Sequence, residues 1–232
     1  MWEKIRKIWN IKDLRRNILF VLGMLVIFRL AAHIPIPGVD SLALKEYFAS
    51  NQILGLMNIF SGGTMQNFSV VMLGVSPYIT ASIIFQLLTM VVPRLEEMQK
   101  EGESGRQKIN MYTRLATVPL AFLQAYAMIK LLGQSQNRIL PDLNTFNLIA
   151  VMLTITAGTI FLMWVGELIT EKGIGNGLSL LIFAGIVSSL PQVVQNVIVN
   201  YNPADLYTYL LFLGVAVITI VGVVIISEGQ RN

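Results

Sequence analysis

The chain has 232 residues, of which 54% are hydrophobic and 13% are charged. A soluble domain needs more polar residues to hydrate its surface, so this composition indicates a protein whose main solvent is lipid. The formal net charge of +4 is explained by basic loops beside anionic lipid, which removes most of the reason to infer nucleic-acid binding. The absence of cysteine excludes a disulfide framework, a cysteine-ligated metal and a cysteine nucleophile.

Six apolar windows are long enough to cross a bilayer as helices, because about 20 apolar residues span a hydrocarbon core of roughly 30 Å. The windows are residues 18–34, 68–92, 115–132, 148–169, 178–199 and 206–226. Backbone groups find no water in lipid, and the strands of a β-barrel would be shorter and alternating, so the windows predict helices. The predicted fold class is therefore all-α, a polytopic bundle of about six transmembrane helices.

Lysine and arginine are concentrated in the first 17 residues and in the connection between the second and third windows. Those residues are Lys4, Arg6, Lys7, Lys12, Arg15 and Arg16, and then Arg94, Lys100, Arg106, Lys108 and Arg114. Basic connections remain on the cytoplasmic side, whereas the opposite side holds only Lys45 and Arg138 clear of the windows. We predict that both termini, the second with Glu228 and Arg231, are cytoplasmic.

Some segments are too polar or too irregular for a helix surrounded by lipid. The second window contains Gly74, Ser76, Pro77, Tyr78, Thr80, Ser82 and Gln86, which predicts that it faces protein or an aqueous cavity. Residues 53–60 are apolar but too short to span, and a glycine-rich break follows them. They predict a short re-entrant helix, because irregular backbone at membrane depth must be buried or line a cavity; a surface loop is the alternative.

The fifth window follows a run with glycine at 173, 175 and 177. A regular helix is costly there, at about 1 kcal/mol per glycine, so a sharp turn and close backbone approach are expected. The spacing does not match a dinucleotide site, and the sequence contains no HExxH, GxSxG or Walker lysine. We therefore predict no enzymatic activity, no cofactor and no metal.

Few ionisable groups lie near or within the windows. Arg29, Lys130 and Glu167 are close enough to helix ends to reach the interface or pair there. The single His33 is expected to be a hydrogen-bonded interface residue, since a metal site needs several convergent ligands.

Five stretches, taken together and in order, resemble the bacterial SecY family. They are FRLAAHIPIPGVD from Phe28, NIFSGGTMQNFSVVMLGVSPYITASIIFQLLT from Asn58, EGESGRQKINMYTR from Glu101, GTIFLMWVGELITEKGIGNGLSLLIFAGIV from Gly158 and SEGQR from Ser227. The resemblance covers about residues 20–231. It implies the N-terminal half of the SecY fold and a subunit of a protein-conducting channel, which passes secretory polypeptides across the membrane and membrane-protein segments laterally into it.

The resemblance also implies where the functional residues lie. The family closes its pore with an aliphatic ring, and the matching positions are Val75, Ile79, Leu178 and Ile182. Within each pair an i, i+4 spacing places both side chains on one helix face. The family's plug matches Asn58, Ile59, Phe60, Ser61, Gly62, Gly63 and Thr64. Thr80, Gln86 and Gln124 are the polar candidates for one side of the lateral gate, with ordinary packing as the alternative.

The family has ten spans in two inverted halves, and this sequence matches the first six. The implied parts are a basic cytoplasmic N-terminus (1–17), the first span and plug (18–67), the second to fifth spans lining the pore (68–200), and the sixth span with the start of a cytoplasmic loop (201–232). The implied partners are SecE-like and SecG-like membrane subunits, SecA or the ribosome, signal sequences, unfolded polypeptide, lipid, and a C-terminal half with spans seven to ten. The implied location is the bacterial cytoplasmic membrane.

Two other function classes remain as alternatives to a channel. A secondary transporter with discontinuous helices would be expected to carry Asp, Glu or His deep in a span for ion coupling, and none is central here. A structural scaffold would not explain the glycine-rich breaks and the polar second window.

Overall fold

The computed structural model describes residues 11–37, 39–133, 144–172, 175–199 and 206–229. Some residues used in the predictions lie outside these ranges, namely Lys4, Arg6, Lys7, Arg138, Gly173 and Arg231. The described residues are mostly helical, and their β-type pairing is one isolated bridge between Pro35 and Ser69. The predicted all-α fold class is confirmed.

The described residues form helices α1 (Lys12–Ala32), α2 (Ser41–Ser50), α3 (Gln52–Phe60), α4 (Ser76–Val91), α5 (Pro93–Lys100), α6 (Glu103–Gly133), α7 (Thr145–Glu171), α8 (Gly177–Val199) and α9 (Leu206–Glu228). Each of the six apolar windows overlaps one of the long helices, and α3 is the predicted short helix. The chain divides into two compact units, Met1–Ser189 and Leu190–Asn232.

Three of the described helices are long and apolar enough to cross a membrane: α6, α7 and the Tyr209–Ser227 part of α9. Helices α4 and α5 meet at a bend of 100° and make a fourth span if the pair counts as one. Helix α8 is apolar over the shorter stretch Gly177–Pro191, and every 18-residue stretch of α1 contains more than two charges. Length and composition thus support three or four of the six predicted crossings, and the others stay predictions.

The second window is not one helix, which corrects the prediction for residues 68–92. Its first eight residues form turns, and α4 begins only at Ser76. Phe68 has φ 44° and Gly74 has φ 58°, so the chain enters the left-handed region twice within this stretch. Pro77 then lies in the first turn of α4, where its missing N–H costs no hydrogen bond.

Helix α2 was not predicted from the sequence. Its N-cap is Asp40, whose Oδ1 accepts hydrogen bonds from the main-chain N–H groups of Leu42 (2.9 Å) and Ala43 (3.2 Å). An aspartate directly before an apolar run is a usual helix-start signal. This signal was present in the sequence and could have located α2.

Helix α7 connects the two apolar clusters of the first unit. Its N-terminal half contributes Val151, Met152 and Ile155 to one cluster, and its C-terminal half contributes Leu162, Val165 and Ile169 to the other. Between them lies Gly158, where an added Cβ would be 1.9 Å from the main-chain oxygen of Val70. The absence of a side chain therefore lets the turn segment contact the helix backbone directly. In lipid, such close packing stabilises helix association more than the hydrophobic effect does.

Candidate functional site

A small apolar pocket in the first unit brings together residues from two of the predicted groups, the pore ring and the plug. Its volume is about 40 Å³, and its lining consists of Phe28, Ser61, Gly74, Val75, Leu162, Leu181, Ile182 and Gly185. Val75 and Ile182 are ring candidates, and Ser61 belongs to the predicted plug. Residues distant in sequence therefore meet in one pocket, and its assignment to a closed pore stays a prediction.

Of the first ring pair, only Ile79 is inside a helix. Val75 is the N-cap of α4, with φ −97° and ψ 6°, and it is buried in the second apolar cluster. Its carbonyl accepts the hydrogen bond from the N–H of Ile79 at 3.1 Å. The expectation of two residues on one helix face is thus wrong for Val75, because the turn segment extends to this residue. Ile79 is 38% exposed.

The second ring pair lies at the start of α8, which packs closely on α7. Leu178 and Ile182 are partly buried against the second apolar cluster. An added Cβ at Gly166 of α7 would be 2.6 Å from Leu178 Cδ2, and one at Gly177 would be 1.9 Å from the Gly166 oxygen. Glycines at this crossing hold the face that carries Leu178 and Ile182 close to α7.

Hydrogen bonds also fix the start of α8. The N–H of Gly177 donates to Thr170 Oγ1 at 2.9 Å, and the N–H of Ser179 donates to Asn176 Oδ1 at 3.1 Å. Both bonds satisfy donors that a helix N-terminus leaves without partners. Gly177 therefore makes the close backbone approach that the sequence predicted, whereas the sharp turn stays a prediction because Gly173 and Ile174 lie outside the described residues.

The predicted plug, residues 58–64, is the end of α3 and the turn after it. Asn58, Ile59 and Phe60 form its last helical positions, and Ser61 is the C-cap. Gly62 and Gly63 have φ 69° and 82°, a conformation that residues with a Cβ adopt at a cost. The predicted glycine-rich break after the short helix is confirmed.

Side-chain hydrogen bonds stabilise this turn. Asn58 Nδ2 donates to Gln66 Oε1 at 2.8 Å, while the N–H of Gln66 donates back to Asn58 Oδ1 at 3.1 Å. The buried hydroxyl of Thr64 is within 3.1 Å of the Ser61 oxygen and 3.3 Å of the Met72 oxygen. Gly62 and Thr64 are buried, although Ile59 remains 39% exposed, so the turn packs against the first unit on one side.

The turn contacts two helices from opposite ends of the first unit's sequence. Arg29 Nη1, on α1, donates to the main-chain oxygen of Gly62 at 2.9 Å. On α8, the backbone of Gly185 is so close that an added Cβ at Gly62 would be 2.8 Å from Gly185 Cα. Neither contact was predicted from the sequence. Arg29 was noted only as a charge near the end of an apolar window. A glycine within an apolar window, such as Gly185, gives no indication of which segment will contact it.

The three lateral-gate candidates do not form a hydrogen-bonded group among the described residues. The Thr80 hydroxyl donates to the Ser76 oxygen one turn earlier in α4 at 3.1 Å, and Gln86 is exposed while Gln124 is half-buried. The helices that carry them, α4 and α6, pack together through the stacked rings of Phe85 and Tyr112, with centroids 6.4 Å apart. The gate assignment stays a prediction.

The ionisable residues near the helix ends have identifiable partners. Glu167 of α7 forms an ion pair with Arg114 of α6, with Nε and Oε1 2.5 Å apart, and Lys130 lies 5.7 Å from the centroid of the Tyr126 ring. His33 Nδ1 donates to the Arg29 oxygen at 2.8 Å. The predicted pairing of Glu167 and hydrogen bonding of His33 are confirmed, whereas the positions of these residues at a membrane interface stay predictions. In the described ranges, no three His, Cys, Asp or Glu residues converge as metal ligands.

Comparison with known proteins gives the same family as the sequence motifs. The SecY family model matches residues 69–232, more than half of the chain. Protein translocase subunit SecY of Corynebacterium glutamicum is 43% identical over 95% of this chain and 52% of its own length. Protein translocase subunit SecY of Vibrio cholerae is 44% identical over 96% of this chain and 51% of its own length. The chain thus spans about half the length of these relatives. This chain is a membrane protein that belongs to the SecY family.

Proposed function

We propose that the chain is the N-terminal part of a protein-conducting channel. The observation that supports this proposal is the pocket in which Ser61 of the plug segment meets Val75 and Ile182. An aliphatic constriction can seal around varied polypeptides and lose its water when empty, which blocks ions. The polypeptide would pass along the face of α8 that carries Leu178 and Ile182 after residues 58–64 move away. The chain would perform no catalysis of its own.

The chain spans about half the length of the relatives it matches, and a complete channel would need further parts. We expect a C-terminal half with four further spans, small SecE-like and SecG-like subunits, and SecA or the ribosome as the source of driving force. The secretory polypeptide, its signal sequence and lipid would be the substrates and surroundings. The proposed location is the bacterial cytoplasmic membrane with both termini inside, because the charged connection around α5 carries Arg94, Lys100, Arg106 and Lys108.

Signal sequences would leave the pore sideways between α4 and helices of the proposed C-terminal half. Thr80, Gln86 and Gln124 would then lie on or near this lateral seam. Exposed amides such as Gln86 are suited to contact a partner helix, and such hydrogen bonds contribute about 1 kcal/mol in a membrane.

Ion conductance tests the proposed ring. We expect Ile182→Asn to make the resting channel leak ions when the complex is reconstituted in a planar bilayer, because a polar side chain wets the constriction. The neighbouring Phe183 is 62% exposed and outside the pocket, so Phe183→Asn is the matched control and should not leak. Equal conductance of the two variants would contradict the ring assignment.

A single cysteine tests whether the plug moves. Since the chain has no cysteine, Ser61→Cys provides one labelling site in the pocket. We expect it to react faster with a membrane-impermeant maleimide when a secretory polypeptide is arrested in the complex than in the resting complex. Equal rates in the two states would argue against a mobile plug.

A further inference from the structure

The hydrogen bond between Arg29 and Gly62 joins two segments that are 33 positions apart in the chain. Arg29 lies in the last turn of α1, where an arginine near a membrane surface commonly extends its guanidinium toward the headgroups. Here it is only partly exposed, and Nη1 donates instead to a main-chain oxygen 2.9 Å away. A charged donor on a carbonyl makes a stronger bond than a neutral one.

Three carbonyls in the last turn of α3 accept hydrogen bonds locally. The N–H groups of Ser61, Gly62 and Gly63 donate to the oxygens of Met57, Ile59 and Asn58, respectively, at 2.9–3.0 Å. The Gly62 oxygen points away from this cap and accepts from Arg29. Because the C-terminal end of a helix carries partial negative charge, the guanidinium also stabilises α3 electrostatically.

The remaining polar contacts of residues 58–64 stay within the same part of the chain. The side-chain bonds of Asn58 and Thr64 reach no farther than Gln66 and Met72. Among the described residues, the Arg29 bond is therefore the side-chain hydrogen bond that connects this segment to a separate long helix. On the other side the segment meets the bare backbone of Gly185, a contact that can separate without breaking a polar interaction.

We propose that Arg29 is a positioning residue that latches the plug segment in the closed state. The role rests on the proposed channel function, but the contact itself does not. Gly62 lies between Arg29 of α1 and Gly185 of α8. Movement of residues 58–64 away from α1 must therefore break the charged hydrogen bond from Arg29 to the Gly62 oxygen. The strength of that bond sets how often the closed channel opens without a substrate.

Cysteine accessibility tests the latch without any translocation. In the complex purified in detergent, Ser61→Cys is labelled with a maleimide in the presence of arginine, glutamine or lysine at position 29. We expect Arg29→Gln to raise the labelling rate about ten- to a hundredfold, in line with the loss of one charged hydrogen bond. Arg29→Lys keeps the charge and a donor, so its rate should lie between the two.

Two controls separate the latch from general loosening. Ser50→Cys, an exposed position at the end of α2, should label at one rate in all three backgrounds, and Arg15→Gln, an exposed arginine at the other end of α1, should leave Ser61→Cys unchanged. An unchanged Ser61→Cys rate in Arg29→Gln would overturn the latch. A parallel rise at Ser50→Cys would overturn it as well, because Arg29 would then support the whole fold.

The latch and the channel proposal fail in different ways. If Ile182→Asn leaks ions but the labelling rate of Ser61→Cys does not depend on the residue at position 29, the channel proposal is supported and the latch is wrong. If labelling responds to position 29 but Ile182→Asn does not leak, the contact is real and the channel proposal is wrong.

Discussion

Residues 61–75 and helix α4, which follows directly, differ in both backbone and burial. The first segment is irregular, and most of its residues are buried, including Phe68, Val71 and Met72. Helix α4 is regular, and its buried residues are Pro77, Ala81 and Thr89. A helix satisfies its own backbone groups and tolerates lipid, whereas irregular backbone at membrane depth must be enclosed by protein. The irregular segment, which includes the last part of the predicted plug (residues 61–64), thus depends more on its neighbours than α4 does.

The largest expected difference between the two regions concerns buried side chains. Met72→Ala in the turn segment should lower the free energy of unfolding by about 2–5 kcal/mol, because Met72 is fully buried and truncation leaves a cavity. Met90→Ala in α4 is the matched control, since Met90 is 74% exposed. This substitution should change the free energy of unfolding by less than about 0.5 kcal/mol. Unfolding followed by circular dichroism in mixed micelles measures both, and similar losses would contradict the contrast.

A smaller effect is expected where the turn segment contacts α7. Gly158→Ala places a Cβ 1.9 Å from the Val70 oxygen, so the two backbones must separate, at a cost of about 1–3 kcal/mol. Gly23→Ala in α1 is the control, because nothing lies within 4 Å of the added Cβ, and it should be neutral or slightly stabilising. The same titration measures both substitutions. A Gly158→Ala protein as stable as Gly23→Ala would mean that residues 70–71 do not pack on α7 this closely.

The smallest effect concerns one hydroxyl. Thr64→Val removes the donor to the Ser61 and Met72 oxygens from a fully buried position, and we expect a loss of about 1–2 kcal/mol. In Thr80→Val the lost bond lies within α4 itself, where the carbonyl keeps its helical partner, so the change should be close to zero. If the losses of stability in Thr64→Val and Thr80→Val differ by less than the error of the titration, Thr64 does not stabilise the turn.

The sequence predicted the long helices well, because runs of about 20 apolar residues leave few other structures in lipid. It failed at residues 68–75, where apolar residues such as Val70, Val71 and Met72 continue the pattern of the window although the backbone turns. Gly74 and Pro77 were recognised as unusual, but composition does not state where a helix begins. Hydropathy reports the surroundings of a segment and not its φ and ψ.

The candidate site was predicted in part for a similar reason. The family resemblance assigned Ser61 to a plug and Val75 and Ile182 to a pore ring, and all three residues line one pocket; their roles stay predictions. Arg29 and Gly185 were missed as partners of Gly62, because contacts between segments 33 and 123 positions apart leave no local pattern. Such contacts become visible only when the helices are packed.

Crosslinking to a polypeptide in transit tests the central claim, that the chain encloses a protein-conducting path beside α8. A cysteine at Ile182 or at Phe183 is paired with a cysteine in a secretory polypeptide arrested in native membranes. Ile182 lines the pocket and Phe183 does not, so we predict a disulfide-linked product from Ile182→Cys and little from Phe183→Cys. Equal yields at the two positions, or no product at either, would contradict the proposed path.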